Sequence, residues 1–252
     1  MYLGRTTPLI KQFAGASPPR HQLVCFPYAG GGASFYRPWR EELPPDVDLL
    51  AVQYPGREER IDDPLIDDMD ELAGLLATEL APLLDLPFTF FGHSMGAAVG
   101  YETARRWGES GFPTPDRLIV SSQFVPPRIP AGEMLRHDDS GVLDELVRLG
   151  GVPRSVYESP ELVRLIVSVV RNDYRVLESC RFGADTPALD LPLTAFCGAD
   201  DPAVTPQDVC EWAGFTRAGF TNRIFDGGHF YPRERLTETV AAVAEFLALP
   251  AH

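Results

Sequence analysis

Residues 88–99 read FTFFGHSMGAAV. An apolar run from Phe88 to Phe91 leads straight into Gly92-His93-Ser94-Met95-Gly96, and small helix-compatible residues follow at once. This is a G-x-S-x-G pattern in the setting it requires: strand, sharp turn, helix. A serine at the apex of such a turn sits on strained backbone, so its neighbours two places away must be small, and Gly92 and Gly96 are. The helix that follows turns its N-terminal N–H groups towards whatever the serine would attack. Ser94 is the candidate nucleophile.

Working outward, short and mostly continuous apolar runs lie at 23–28, 49–54, 88–92, 117–122, 193–198 and 223–225. Continuity rather than alternation predicts strands buried on both faces. Helical spacing appears at 70–84, at 96–107 directly after the serine turn, and at 237–247, where Val240, Val243 and Leu247 share a face. Strands alternating with helices predict an α/β fold, a mainly parallel sheet wrapped by helices on both sides. The length of 252 residues suits one such domain.

One segment breaks the alternation. Between 125 and 187 no strand is evident, which is long for a plain crossover. It opens on the proline-rich VPPRIPAGE, and a helix is expected at 140–149. Another should begin at Ser159, a good N-cap, with Pro160 in its first turn. Leu162, Leu165, Ile166, Val169 and Val170 would form its apolar stripe. A helical insertion at this point is expected to act as a lid over the site.

A serine nucleophile needs a base, and there are five histidines. His93 adjoins Ser94 within the turn and is directed elsewhere; His21 precedes a strand, His137 lies in the insertion and His252 is the last residue. His229 stands in FDGGHF after the final strand, where two glycines let a loop swing the imidazole over the serine. The order Ser, acid, His along the chain then asks for a carboxylate after the strand at 193–198. Asp200 and Asp201 both stand there, and residue physics leaves the choice open. Phe26-Pro27-Tyr28-Ala29-Gly30-Gly31-Gly32 follows the strand expected beside the nucleophile strand. Its glycines permit backbone N–H groups to face a substrate, with the N–H of Met95 as a second donor.

A net charge of −14 argues against nucleic acid or an anionic membrane as partner. The insertion is nearly balanced at −2: Arg128, Arg136, Arg148, Arg154, Arg164, Arg171, Arg175 and Arg181 face ten acids. Cys25, Cys180, Cys197 and Cys210 have no metal-ligand spacing, and Cys25 and Cys197 read as buried strand residues. The acids at 62, 63, 67, 68, 70 and 71 match no calcium loop and suit the start of a helix. No metal or cofactor is expected. No secretory or membrane-spanning pattern is evident, so a cytoplasmic protein is expected.

Together, FPYAGGGASFYRPW (26–39), VQYPGREER (52–60), FFGHSMGAAVGYE (90–102), CGADDP (197–202) and FDGGHFY (225–231) resemble the stand-alone type II thioesterases of polyketide and non-ribosomal peptide assembly lines. The likeness covers most of the chain and is weakest in the insertion; PGRE together with GGHF is its most specific part. It implies an α/β-hydrolase fold, and removal of stalled or mis-primed acyl groups from the phosphopantetheine arm of an acyl carrier protein. It also implies Ser94 as nucleophile, His229 as base, Asp200 as acid, and Ala29 and Met95 as oxyanion donors. Carrier proteins of such pathways are acidic, so docking would need a local patch. A general carboxylesterase or acyltransferase on the same fold, and a non-catalytic binding protein, are the alternatives.

Overall fold

Strands that are mostly apolar need cover on both faces, and that need organises the chain. The computed structural model describes residues 7–130, 132–180 and 188–247. Among them seven strands form one sheet: β1 (Ile10–Phe13), β2 (His21–Phe26), β3 (Val47–Val52), β4 (Phe88–His93), β5 (Arg117–Ser121), β6 (Leu193–Gly198) and β7 (Phe220–Phe225). The helices are α1 (Trp39–Glu42), α2 (Met69–Leu80), α3 (Met95–Glu109), α4 (Glu133–Arg136), α5 (Asp139–Leu149), α6 (Pro160–Ser179), α7 (Pro206–Val209), α8 (Tyr231–Glu234) and α9 (Leu236–Leu247). Strands β2 to β7 are those the sequence predicts. β1 was not expected: it is a four-residue edge strand with only its first residue fully buried. So short a piece carries no readable period.

The sheet runs β1-β3-β2-β4-β5-β6-β7, parallel throughout except for β1 against β3. Side chains alternate across a strand, so each apolar run feeds two cores. Val24 and Phe26 of β2 join Phe90, Val120 and Ala195 under α2 and α3. Leu23 and Cys25 join Phe91, Ile119 and Phe196 against Trp39, Val240 and Val243. Asp68 caps α2 by accepting the Glu71 N–H at 2.9 Å, which gives one of the clustered acids its role.

Strand order fixes where a site can form. From β2 the chain steps to β3 on one side, then crosses to β4 on the other. The carboxyl ends of β2 and β4 therefore flank a switch point, where open α/β sheets leave a crevice. The loop after β2 and Ser94 after β4 meet there.

Between β5 and β6 the described chain is helical, and α4, α5 and α6 share a small core of Met134, Val142, Leu143, Leu146, Val156, Val167 and Val170. Ser159 caps α6 by accepting the Leu162 N–H at 3.4 Å. The expected stripe on α6 is buried only towards its far end. Val169 and Val170 are buried and Ile166 is half-buried, but Leu162 and Leu165 are 41% and 39% exposed. The stripe sinks into the protein along the helix because only the second half of α6 crosses the sheet domain. Arg181 and residues 182–187 of the insertion lie outside the described residues, as does His252. Among the described residues no helix is long and apolar enough to cross a membrane.

Candidate active site

Ser94 has φ +53° and ψ −125°, a conformation that costs a non-glycine residue on the order of 1–3 kcal/mol. Its surroundings impose it: the Ser94 N–H donates to Ser121 O at 2.8 Å, and α3 starts at the next residue. The two flanking glycines are needed for close approach. A Cβ at Gly92 would stand 2.1 Å from Gly96 O, and one at Gly96 would stand 1.9 Å from Phe26 O. The turn packs β4, α3 and the exit of β2 so tightly that no side chain fits at either position.

The loop after β7 carries His229, whose side chain is only 5% exposed. Its Nδ1 lies 2.9 Å from Asp201 Oδ2. Ser94, His229 and Ala29 line one cavity of about 600 Å³, together with Ser122, Gln123 and Phe124 beyond β5. The opposite wall comes from the insertion, with Met134, His137, Glu145, Arg148, Tyr174 and Leu177.

The acid implied by resemblance, Asp200, is not the one against the imidazole. Asp200 is exposed, and its N–H is spent on Gly227 O at 3.0 Å. The Asp201 side chain is fully buried. The chain turns directly after β6, with the Asp201 N–H directed at Gly198 O, and this turn leaves Asp200 outside while it carries the Asp201 side chain inward to His229. Asp201 also shapes the turn: its Oδ1 accepts the Ala203 and Val204 N–H groups at 2.9 and 3.2 Å. One oxygen holds the loop and the other holds the imidazole. Burial pushes the Asp201 pKa up, but the His229 hydrogen bond and charge and the Ala203 N–H outweigh it, leaving the carboxyl below its ordinary range.

Met95 opens α3, so its N–H belongs to the helix end that lacks intrahelical acceptors. Ala29 follows β2, which pairs with β4 as the sequence reading required. His93 faces away from the serine. Its Nδ1 contacts Ser121 Oγ at 2.9 Å, and Ser121 Oγ contacts Tyr231 OH at 2.6 Å. Burial, and then the nearby His229, hold the His93 pKa well below its usual value, so this ring is a neutral support for the turn.

A family model described as "Thioesterase domain" matches residues 21–247, nearly all of the chain and every element of this site. The chain belongs to the thioesterase family. It is a hydrolase on the α/β-hydrolase fold. This thioesterase is 36% identical over 238 residues to the Streptomyces griseus protein described as "Probable cadicidin biosynthesis thioesterase", covering 94% of this chain and 65% of that one. It is 34% identical to thioesterase PikA5 of Streptomyces venezuelae, over 94% of this chain and 85% of the relative. The solved structure of the type II thioesterase BorB from the borrelidin biosynthetic cluster superposes with a TM-score of 0.86 at 38% identity, covering 97% and 99% of the two chains.

Sequence reasoning missed a second set of residues in this thioesterase. Arg57, quoted above only as part of PGRE, is buried and forms a two-point ion pair with Asp173 of α6. The available signal was Asp173 itself, a charge placed among Val169, Val170, Val176 and Leu177 on the buried face of a helix. Several insertion arginines balance neighbouring acids: Arg148 with Glu145, Arg164 with Glu161, Arg171 with Asp139, and Arg128 with Glu211 and Asp208.

Proposed function

We propose that this chain is a type II thioesterase that clears aberrant or stalled acyl groups from the phosphopantetheine arm of acyl carrier proteins. His229 takes the Ser94 proton as Ser94 Oγ attacks the thioester carbonyl, and Asp201 holds the imidazole and stabilises its protonated form. The N–H groups of Ala29 and Met95 receive the oxyanion. The pantetheine thiol leaves with the proton from His229. A water deprotonated by His229 then hydrolyses the acyl-serine, returning the carboxylic acid and free Ser94.

The support is the cavity. Ser94, His229 and Ala29 line the same space as Met134, Tyr174 and Leu177, so an acyl chain bonded to Ser94 has an apolar wall beside it. The helical insertion at 125–187 acts as the lid of a single hydrolase domain in this reading. The relatives named above include a biosynthesis thioesterase and a type II thioesterase from the borrelidin biosynthetic cluster, which suits a carrier-bound substrate.

The test is turnover of a panel of acyl groups on a carrier protein, against the same groups as oxygen esters and on free pantetheine, across a salt series. Thioesters should exceed matched oxygen esters, with a carrier advantage that depends modestly on salt. Local arginines attract the acidic partner while the net charge of −14 repels it, and salt screens both. Equal or faster hydrolysis of oxygen esters would make the chain a general esterase. No carrier advantage at any salt would remove the carrier protein as partner.

A further inference from the structure

The Arg57–Asp173 pair joins two parts of the molecule that the proposed reaction treats separately, the insertion helix and the oxyanion loop. Asp173 sits on α6 and is 1% exposed; Arg57 is 8% exposed. Arg57 Nη1 donates to Asp173 Oδ2 and Nη2 to Asp173 Oδ1, both at 2.7 Å. The same Oδ2 accepts the Gly30 N–H at 2.7 Å, and Nη1 also reaches Gly31 O at 3.3 Å. The pair therefore grips the two residues that follow Ala29.

The peptide geometry around Ala29 gives this grip a consequence. The Gly31 N–H donates to Tyr28 O at 2.9 Å, which fixes the peptide plane between Tyr28 and Ala29. In a trans peptide the N–H points opposite to the C=O, so the same bond sets the direction of the Ala29 N–H. Asp173 fixes the next plane through the Gly30 N–H. Gln53 braces the loop's exit, accepting the Ala33 N–H at 3.1 Å and donating to Arg57 O at 3.2 Å. Val170, one turn before Asp173 on α6, fills the space beside Gly30, so that a Cβ there would stand 2.9 Å from Val170 Cγ2.

We propose that Asp173 and Arg57 are positioning residues that hold the oxyanion loop in its working shape, so that the second half of α6 belongs to the catalytic frame. Two further contacts fix that half to the sheet domain. Asn172 Nδ2 donates to Ile66 O at 2.6 Å, and the Met69 N–H donates to Ser179 Oγ at 2.7 Å. The inference rests on the acyl-enzyme reading given above.

The pair contributes orientation more than stability. Replacing a buried ion pair by apolar residues of similar size is often neutral, whereas removing one partner strands a buried charge. The decisive variant is thus Arg57→Met with Asp173→Leu, and Arg57→Lys is the second. The latter keeps the charge pair and the fold while losing the two-point grip. Each is assayed for thermal midpoint, for kcat and KM on an acyl-pantetheine thioester, and for affinity to an acyl trifluoromethyl ketone, whose serine adduct places an alkoxide in the hole.

For the double variant, kcat should fall roughly 10²-fold with KM within about twofold, as expected for losing one oxyanion donor. Affinity for the ketone should fall in step with kcat/KM. Arg57→Lys should lose about tenfold in kcat in the same manner. A folded variant of either kind with kcat within twofold of the parent overturns the inference, as does a loss carried by KM with ketone affinity unchanged. If the double variant does not fold, Arg57→Lys decides. Absence of Ser94-dependent turnover in the parent enzyme would instead fell the acyl-enzyme reading, and this inference with it.

Discussion

One wall of the cavity hangs on the carboxyl ends of β4 and β5 and on the loops after β2, β6 and β7, and the other is carried by α4, α5 and α6. On the sheet side, position is fixed by backbone. Ser94 is held at positive φ between two glycines that admit no side chain, and Asp201 is anchored by two N–H groups before it touches His229. On the insertion side, position is fixed by side chains: a small apolar core, the Arg57–Asp173 pair, and exposed pairs such as Arg148–Glu145. Backbone placement leaves few ways to adjust, which suits groups that must meet within tenths of an ångström. Side-chain placement can be retuned one residue at a time, which suits the recognition of different acyl groups.

Changes on the sheet wall should therefore be the most damaging. Ser94→Ala is expected to lower turnover by about 10⁴-fold or more while the protein stays folded; an acyl adduct found by mass spectrometry on this variant would remove Ser94 from the reaction. Asp201→Asn is expected to cost about 10³- to 10⁴-fold in kcat, since it loses the charge that steadies protonated His229. Asp200→Asn, exposed and directed elsewhere, should stay within about threefold. The reverse ranking of the two would return the acid to Asp200.

The two walls also differ in how far the sequence discloses them. Strands buried on both faces announce themselves by unbroken apolar runs, so β2 to β6 were legible, and the glycines of GHSMG and DGGHF disclosed that Ser94 and His229 would face one cavity; β7 was found as a strand, but it is largely exposed rather than buried on both faces. Asp200 and Asp201 were not separable, because which of two adjacent carboxylates faces His229 depends on the path of the chain leaving β6. The pairing of Asp173 was illegible for a different cause. Its partner Arg57 is 116 residues away along the chain, and nothing local indicates that a charge on the buried face of α6 is matched. The apolar spacing of α6 misled at Leu162 and Leu165 because periodicity names a face, while the extent of the neighbouring element decides how much of that face is covered.

A third expected effect lies in the sheet but away from the cavity. His21 opens β2, its Nε2 is 3.0 Å from Thr89 Oγ1, and burial lowers its pKa to about 4. The folded protein thus prefers neutral His21, while the unfolded chain takes up the proton near pH 6.5. The associated stability is complete above about pH 6.5 and drains as the pH falls towards 4, by on the order of 3 kcal/mol. His21→Gln should flatten that part of the stability curve; an unchanged slope in urea melts between pH 7 and 4 would show that His21 titrates normally. On the insertion wall, Met134→Trp narrows the cavity. It is expected to shift the preference between long and short acyl thioesters by roughly tenfold in kcat/KM, the scale at which apolar pockets discriminate chain length. No shift would mean that acyl chains do not reach Met134.

The smallest effect should come from the outer half of α6. Leu162 and Leu165 are large apolar residues left over a third exposed, whereas Val170, further along the helix, is buried in the insertion core and against Gly30 of the loop after β2. Serine at either leucine gives up a side chain that is already partly in water, so the loss of stability should stay below about 1 kcal/mol and turnover of acyl-pantetheine within about twofold. Val170→Ser removes buried methyl groups and brings a hydroxyl among apolar neighbours, for which a loss of about 2–3 kcal/mol is expected. The comparison along one helix separates packing from propensity, because all three substitutions exchange an aliphatic residue for serine in a helical setting. A loss above about 1.5 kcal/mol at Leu162 or Leu165 would mean that the outer half of α6 is packed in solution. The contrast between a covered inner half and a partly exposed outer half would then fail.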